Sequence, residues 1–253
     1  MKNILKGCLM GLFLAGFLAG CGGGGGTENF LPSTTDDTAP TVQSTEPADG
    51  ATDVAINRKI LATFDEAMIP DDITDAGTFT LTGPGGAAVA GTVRYNVVNR
   101  IAIFTPSGDL SVGLHTATIT TAARDVSNNA LAAAKTWSFD VDGFSADATR
   151  PEVITTSPAD FATNVSTRTD INVTFSEVMD PETINLTTFT LETDTGSIHV
   201  PGLVTCSGTT ATFNPTVPLL PVTDYIARLT IEVADLAGNT LLIEKEWSFT
   251  TGS

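Results

Sequence analysis

An internal repeat is the feature that most constrains the fold of this chain. Residues 47–54, Pro-Ala-Asp-Gly-Ala-Thr-Asp-Val, return at 158–165 as Pro-Ala-Asp-Phe-Ala-Thr-Asn-Val, so that position 158 matches position 47 at an offset of 111. The Trp-Ser-Phe triplet at 137–139 returns at 247–249, and the matches between these pairs keep the same order. Each unit is about a hundred residues, which is the size of a domain rather than of a solenoid repeat. The sequence therefore predicts two tandem copies of one domain.

Apolar and polar residues alternate within each unit. In the segment 59–64, Ile60, Ala62 and Phe64 fall on one face of an extended chain, and the segment 170–175 repeats this pattern. Turns rich in Gly, Pro, Asn and Asp separate such segments. The other candidate strands of the first unit are 41–44, 78–82, 89–95, 100–104 and 115–122. About seven short strands per hundred residues predict an all-β protein made of two antiparallel β-sandwiches.

Several residues that the two units share are most simply explained as core and turn residues. We expect the aromatic and sulfur-containing ones to fill the two cores: Phe64, Met68, Trp137, Phe175, Met179 and Trp247. We also expect Asp125 and Asp235 to cap turns in which Asn129 and Asn239 adopt the left-handed conformation. Cys206 has no cysteine left to pair with in an exported chain, and we expect it to be a partly buried strand or turn residue.

The first twenty residues have the three parts of an export signal. Two lysines supply positive charge, residues 8–19 form an apolar stretch too short to cross a bilayer comfortably, and small residues follow. Leu18, Ala19, Gly20 and Cys21 resemble the lipobox of bacterial lipoproteins, in which cleavage makes the cysteine the first residue and its thiol carries diacylglycerol. This resemblance implies cleavage of residues 1–20 and a membrane lipid bound covalently through Cys21.

We expect a flexible tether at residues 21–39, because a glycine run and scattered prolines leave no apolar periodicity there. The remaining boundaries place the first domain at 40–142, a linker at 143–150 and the second domain at 151–253, each domain with its own core. Among Gram-negative lipoproteins, a residue other than Asp after the cysteine implies transit to the outer membrane. Gly22 therefore predicts an exported, lipid-anchored protein of the outer membrane, on its periplasmic face or on the cell surface.

The charge of the chain limits its partners. The sequence has 12 basic and 29 acidic residues, and loss of Lys2 and Lys6 with the leader leaves 10 against 29, a net charge of −19. A surface this acidic repels phosphate backbones, so nucleic acid is not an expected partner. It suits a solvated surface or a hard cation such as calcium.

Both units are similar to the bacterial Ig-like domains of S-layer proteins, of the SbsA type. The motifs that carry the resemblance are the Pro-Ala-x-Gly-Ala opening, Thr-Phe-Ser-Glu-x-Met-Asp-Pro at 174–181, Asp-x-x-Gly-Asn at 235–239 and the closing Trp-Ser-Phe-Thr-Thr at 247–251. The second copy matches nearly throughout, whereas the first departs at Asp65, Ile69 and Asn128. The resemblance extends from Pro40 to the end of the second unit, and it implies spacer and adhesion modules at cell surfaces.

No motif in the sequence predicts an enzyme. The two histidines, His115 and His199, lie in strand-like segments without counterparts in the other unit, and we expect both to be structural. No nucleophile elbow, phosphate-binding loop or zinc motif is present, so no small-molecule substrate is inferred. The favoured function is a non-catalytic structural spacer or adhesive module. An accessory lipoprotein that binds a surface glycan or a partner protein through its loop tips is the alternative, although both Trp residues are assigned to the cores and few aromatic residues remain for sugar stacking. An enzyme with an unrecognised site comes last.

No cofactor is required by the sequence, but a calcium ion at the junction of the domains is one hypothesis. Carboxylates crowd the linker, and a segment of the second domain could approach it if its loop lies at the facing end of the sandwich. Calcium takes six to eight oxygens in irregular geometry, so two domains could share one ion and stiffen the joint. The candidate ligands are Asp140, Asp142, Asp147, Glu177 and Asp180.

Overall fold

The computed structural model describes residues 36–141, 143, 145–194 and 198–253. The export signal, the lipobox and Cys21 lie outside the described residues, as does Asp142. Within the described residues, no helix has the length and apolar character needed to cross a membrane. Residues 36–253 form one compact unit, which contains a first domain at 36–141 and a second domain from 145 to the end.

The first domain is a sandwich of two antiparallel sheets. One sheet has the strand order β1-β2-β5-β4 and the other has the order β3-β6-β7. Its strands are β1 (Val42–Glu46), β2 (Ile60–Phe64), β3 (Phe79–Thr82), β4 (Gly91–Asn96), β5 (Ile101–Pro106), β6 (Gly113–Ile119) and β7 (Lys135–Val141). The domain also has a short helix, α1 (Pro70–Thr74), and a single 3-10 turn at Pro84–Gly86.

The second domain repeats this architecture. Its sheets have the strand orders β12-β13-β10-β8 and β11-β14-β15-β9, and all pairings are antiparallel except that of β9 with β15. Its strands are β8 (Val153–Ser157), β9 (Ala162–Val165), β10 (Ile171–Phe175), β11 (Phe189–Thr193), β12 (Gly202–Ser207), β13 (Thr210–Pro215), β14 (Asp224–Leu229) and β15 (Lys245–Thr251). The all-β prediction and the tandem duplication are confirmed.

The helix α1 is a local difference between the two copies. The helix α1 has Pro70 in its first turn followed by Asp71 and Asp72, which suits the positive end of the helix dipole. In the second domain the corresponding segment starts at Pro181 and forms only a turn. The repeat therefore predicted the strands well and did not predict this helix, whose five residues are too few to leave a periodicity signal.

Each domain has its own core around a tryptophan. Trp137 and Trp247 are 1% and 2% exposed, and each packs against a phenylalanine that lies two strands away in the same sheet. The ring centroids of Phe79 and Trp137 are 5.7 Å apart, and those of Phe189 and Trp247 are 6.0 Å apart. The predicted core residues Phe64, Met68, Phe175 and Met179 are also buried. Cys206 is buried as well, on β12.

Close packing against the strands is repeated too. A Cβ atom added at Gly91 would lie 2.5 Å from the ring of Phe104, and one added at Gly202 would lie 2.5 Å from the ring of Phe213. Both glycines begin an edge strand that crosses directly over a core ring. The duplication has therefore preserved the contacts of the interior as well as the strand order.

Candidate functional site

The second domain packs onto the outer face of a sheet of the first domain. Leu61 on β2 and Ile101 and Ile103 on β5 point away from the core of their own domain, and they are buried in a cluster with Leu236. Val178 packs against the same cluster. Leu236 is only 1% exposed, although it lies at the tip of the turn between β14 and β15. This apolar contact joins the two domains, and its residues belong to neither core.

Backbone and amide groups surround the apolar contact. Asn57 accepts a hydrogen bond from the Asp147 N–H at 2.9 Å and donates through Nδ2 to the Asp147 carbonyl at 3.1 Å. The same Nδ2 lies 3.3 Å from the Ala237 carbonyl. Asn99 accepts from the Cys206 N–H at 2.9 Å, and the Lys59 N–H donates to the Leu236 carbonyl at 3.1 Å. Backbone groups that would otherwise be buried without partners are therefore satisfied across the junction.

Ion pairs cross the junction, and Lys59 makes the closest of those among the described residues; Arg94 Nε also lies 3.8 Å from Glu182. Lys59 Nζ lies 2.6 Å from an oxygen of Asp180 and 3.2 Å from an oxygen of Glu182. Burial disfavours the charge of Lys59, but the hydrogen bonds and negative charges of Asp180 and Glu182 outweigh burial and raise its pKa. The ammonium is therefore held in its charged form between two carboxylates of the other domain.

Three carboxylates meet where the linker enters the second domain. Oxygen atoms of Asp147, Glu177 and Asp235 all lie within 4.8 Å of one another. Asp235 is 1% exposed, and its Oδ1 accepts the N–H groups of Ala237 and Asn239 at 2.8 Å each. Oε1 of Glu177 is buried and has no hydrogen-bond partner. The cluster thus contains a buried carboxylate oxygen that no protein donor satisfies.

An equivalent cluster occurs at the entrance to the first domain. Asp36, Glu66 and Asp125 lie within the same 4.8 Å limit, and each matches a member of the linker cluster at an offset of 110 or 111. Asp125 caps its turn as Asp235 does, because its Oδ1 accepts a hydrogen bond from the Asn129 N–H at 2.7 Å. The Asn129 side chain also donates to the Asp36 carbonyl at 2.9 Å. The duplicated turn therefore arranges a duplicated set of carboxylates.

Crowding of negative charge shifts the titration of the central glutamate in each cluster. Burial, followed by the charges of Asp235 and Asp147, raises the pKa of Glu177 to about 7. Burial and the neighbouring Asp125 and Asp36 also raise the pKa of Glu66. Each cluster therefore favours either a proton or another positive charge in its centre.

The structure brings together only part of the candidate calcium set. Asp147 and Glu177 meet at the linker, joined by Asp235, which the sequence assigned to a turn. Asp180 is paired with Lys59, and Asp140 lies on β7 with its backbone bonded to Ala51. Asp142 lies outside the described residues, so the five-residue set stays a prediction in that part.

The duplicated turns correct one expectation. Asp125 and Asp235 do cap these turns, as predicted. The residues with positive φ, however, are Asn128 at 72° and Gly238 at 91°, not Asn129 and Asn239. The asparagines instead use their side chains to bond the capping carboxylate. A residue one position earlier takes the left-handed conformation because the asparagine is needed as a donor.

The two histidines have structural surroundings. His115 is fully buried, is stacked on Phe139 with ring centroids 5.6 Å apart, and has Nδ1 2.9 Å from the Gly113 carbonyl. His199 is largely exposed on the other domain, beside Glu192. The two rings belong to different domains, and neither lies in a carboxylate cluster.

The sequence contains a pattern that marks the junction. In β2 and β5 of the first domain, both faces are apolar, as the segments Ile-Leu-Ala-Thr-Phe and Ile-Ala-Ile-Phe show. The matching strands β10 and β13 alternate strictly, with polar residues on the outer face. A strand that is apolar on both sides is usually covered on both sides. The difference between the copies therefore marked the first domain as the one that is covered.

A family model described as a bacterial Ig-like domain matches residues 36–141 and again residues 147–251. No curated protein matches the chain. Among solved structures, CopC from Methylosinus trichosporium OB3b is 12% identical, with a TM-score of 0.36 over 42% of this chain and 96% of CopC. PcoC, a methionine-rich copper resistance protein from Escherichia coli, is 18% identical, with a TM-score of 0.35 over 41% of this chain and 98% of PcoC.

The N-terminal part of the bacterial S-layer protein SbsC is similar along more of the chain. It is 12% identical, with a TM-score of 0.33 over 84% of this chain and 44% of that chain. Similarities at these identities and TM-scores do not bear on function.

The Glu177 site predicts a specific pH dependence. A raised pKa means that the folded state holds the proton more tightly, so this glutamate's contribution to stability is lost as pH rises from about 4.5 through about 7. Glu177→Gln removes that loss. In EDTA we expect the variant to melt at a higher temperature than the wild type at pH 8 and at nearly the same temperature at pH 4.5.

The control is Glu152→Gln, an exposed glutamate near the same linker. It should leave the melting temperature unchanged at both pH values. If Glu177→Gln shifted the melting temperature equally at pH 4.5 and pH 8, charge crowding at Glu177 would not be the cause.

Proposed function

Because the chain belongs to the bacterial Ig-like domain family, we propose that it is a non-catalytic, exported spacer or adhesive module. In this proposal the two Ig-like domains act as one rigid body attached to a membrane through the lipid on Cys21. The observation that carries the proposal is the junction, in which Leu236 is buried on the outer face of a sheet of the other domain. A spacer gains from this contact because a fixed pair of domains presents its far surface at a defined position.

The junction combines three kinds of contact that together restrict movement. The apolar cluster removes Leu236 from water, and the Lys59–Asp180 pair adds charge complementarity. Asn57 hydrogen-bonds both the N–H and the carbonyl of the linker residue Asp147. Interfaces between domains of one chain are often small and polar, and domain motion is then the default. Two buried leucines and two buried isoleucines at the centre of this one favour a fixed arrangement.

The repeat supplies a matched pair of variants for this proposal. Val126 occupies in the first domain the position that Leu236 occupies in the second, but it is 66% exposed. We expect Leu236→Asp to weaken the junction by about 2–5 kcal/mol, because an apolar contact is lost and a charge is placed on apolar side chains. Val126→Asp should have little effect. Small-angle scattering should then report a broader distribution of dimensions for the first variant only.

An unchanged scattering profile for Leu236→Asp would show that the apolar contact does not hold the domains together. Equal effects of the two variants would point to a general consequence of added charge rather than to the junction.

Membrane attachment rests on the sequence of the leader. The lipobox-like segment ends at Cys21, and several acyl chains on one residue anchor a protein firmly, whereas one chain does not. We expect Cys21→Ser to leave an uncleaved leader and to move the protein from the detergent phase to the aqueous phase. A variant of the buried Cys206, Cys206→Ala, serves as the control and should partition as the wild type does. Equal partitioning of Cys21→Ser and the wild type would contradict lipid anchoring.

The two carboxylate clusters add a calcium-dependent component to this proposal. Oxygens bound to one calcium ion at about 2.4 Å can be at most about 4.8 Å apart, and the oxygens of each cluster lie within that limit. An ion in the linker cluster would satisfy Oε1 of Glu177 and offset the repulsion among the three carboxylates. Since Asp147 belongs to the linker and Asn57 of the first domain bonds its backbone, such an ion would also stiffen the junction.

Calcium titration at pH 7.5 tests this component. We expect calorimetry to detect two ions per chain in the wild type, one in Glu177→Gln and two in Glu152→Gln, with a higher melting temperature where ions bind. The effect of Glu177→Gln on stability should also change sign, from stabilising in EDTA to destabilising in millimolar calcium. Absence of heat and of any melting shift in the wild type would leave both clusters as protonated or solvated carboxylates.

A further inference from the structure

An open groove of about 580 Å³ lies on the outer face of the sheet that contains β14 and β15 of the second domain. Its wall is the turn before β9, where Asp160 and Phe161 lie against β15. Its floor and far side include Ile226 and Asp224 of β14 and Asp194 beyond the end of β11. The groove faces away from the core and is separate from the residues of the junction and of both carboxylate clusters.

Phe161 is unusual both in conformation and in exposure. Its φ is +60°, in the left-handed region that bulky residues rarely adopt, and it is 79% exposed. The matching residue of the first domain is Gly50, whose φ is +78°. Both residues donate their N–H to the carbonyl of the serine in the Trp-Ser-Phe strand, at 2.7 Å in each domain. The backbone conformation at this position therefore favours glycine, but the second domain has an exposed aromatic residue there.

The acidic residues of the groove are also particular to the second domain. Strand register pairs Asp224 with Thr250 where the first domain pairs Leu114 with Asp140. By the same register, Glu246 replaces Thr136 and Asp194 replaces Pro84. Asp160 alone is shared, as Asp49, and in both domains this aspartate caps the serine N–H. The second domain therefore has an aromatic ring and three carboxylates at positions where the first domain, with the same fold, has none.

The charge of the groove selects the class of ligand. Its described lining residues include no lysine or arginine, and of its four carboxylates only Glu246 forms an ion pair, with Arg228 Nη2 at 2.6 Å. Asp160 and Asp224 accept hydrogen bonds from the Ser248 N–H and the Thr250 hydroxyl but have no cationic partner among the described residues. An aromatic face beside carboxylates that lack a cationic partner can bind a cationic side chain, through cation–π attraction and charge-assisted hydrogen bonds. The strongly negative chain also raises the local concentration of cationic partners.

We propose that this groove binds an arginine or lysine side chain of a partner polypeptide, with the cation between Phe161 on one wall and Asp194 and Asp224 on the far side. This inference goes beyond the spacer role and does not depend on the junction, on calcium or on the lipid anchor. It assigns the second domain as the binding end of the module and the first domain as its support.

The experiment titrates the full-length protein in detergent with the pentapeptide Arg-Gly-Arg-Gly-Arg and measures binding by calorimetry. The same peptide with citrulline in place of arginine has the same shape and no charge. We expect binding of the arginine peptide, a loss of roughly tenfold or more in affinity with the citrulline peptide, and weaker binding at higher salt.

Two variants separate the groove from diffuse attraction. Phe161→Gly restores the residue that the first domain has, so it should keep or raise the melting temperature while it lowers affinity at least roughly fivefold. Asp224→Asn should lower affinity roughly threefold or more, while Asp109→Asn, the same charge change at an exposed site of the first domain, should not.

Three results would overturn the proposal. If Phe161→Gly bound the arginine peptide as the wild type does, or if Asp109→Asn and Asp224→Asn weakened binding equally, the peptide would be attracted to the negative charge of the whole protein and not to the groove. If a neutral disaccharide bound instead and lost affinity in Phe161→Gly, the groove would be a glycan site rather than a site for a basic polypeptide.

Discussion

The arrangement of this molecule depends on one contact, the burial of Leu236 among three residues that face away from the core of the first domain. Two sandwiches that each bury their own tryptophan have no need of one another for a core. Leu61, Ile101 and Ile103 would expose a contiguous apolar face if the second domain were absent, and such faces are disfavoured in water. The second domain therefore completes the first, although both arose from one repeated sequence.

The same contact determines where charge can collect. Docking the turn that carries Leu236 brings Asp235 and the linker residue Asp147 to the entrance of the second domain, beside Glu177. Neighbouring Asp180 is kept out of this cluster because Lys59 of the first domain binds it. A single docking geometry therefore has three results. It packs apolar side chains at the junction, pairs Asp180 with Lys59, and leaves three carboxylates together without a neutralising partner in the described part of the chain.

Some features of this structure could be predicted from the sequence and others could not. Strands and cores were predictable because period-two alternation and the repeated Trp-Ser-Phe motif report on burial directly. Two of the three residues of the linker cluster were also predictable, since Asp147 lies in the linker and Glu177 follows the end of β10. Asp235 was assigned only to its turn, because a residue that caps a turn gives no sign that it also faces another domain. The groove was missed for a different reason, since counting Trp and Tyr left out Phe161.

Comparison of the two copies gives more information than either copy alone, because one scaffold has been given two sets of surface residues. Where the copies agree, as at the capping aspartates, the residue serves the fold. Where they differ on an outer face, the difference marks a surface with its own role. The first domain has Leu61, Ile101 and Ile103 on the outer face where the register places Asn172, Thr210 and Thr212 in the second.

These polar residues have a consequence for assembly. Another copy that docked its own Leu236 on this face of the second domain would place a leucine on three polar side chains and leave them without water. Contacts that repeat head to tail without closing generate filaments, and a polar face at the matching position disfavours that repetition. The docking is therefore specific to one pair of domains, and the outer sheet of the second domain that contains the Phe161 groove stays free for a different partner.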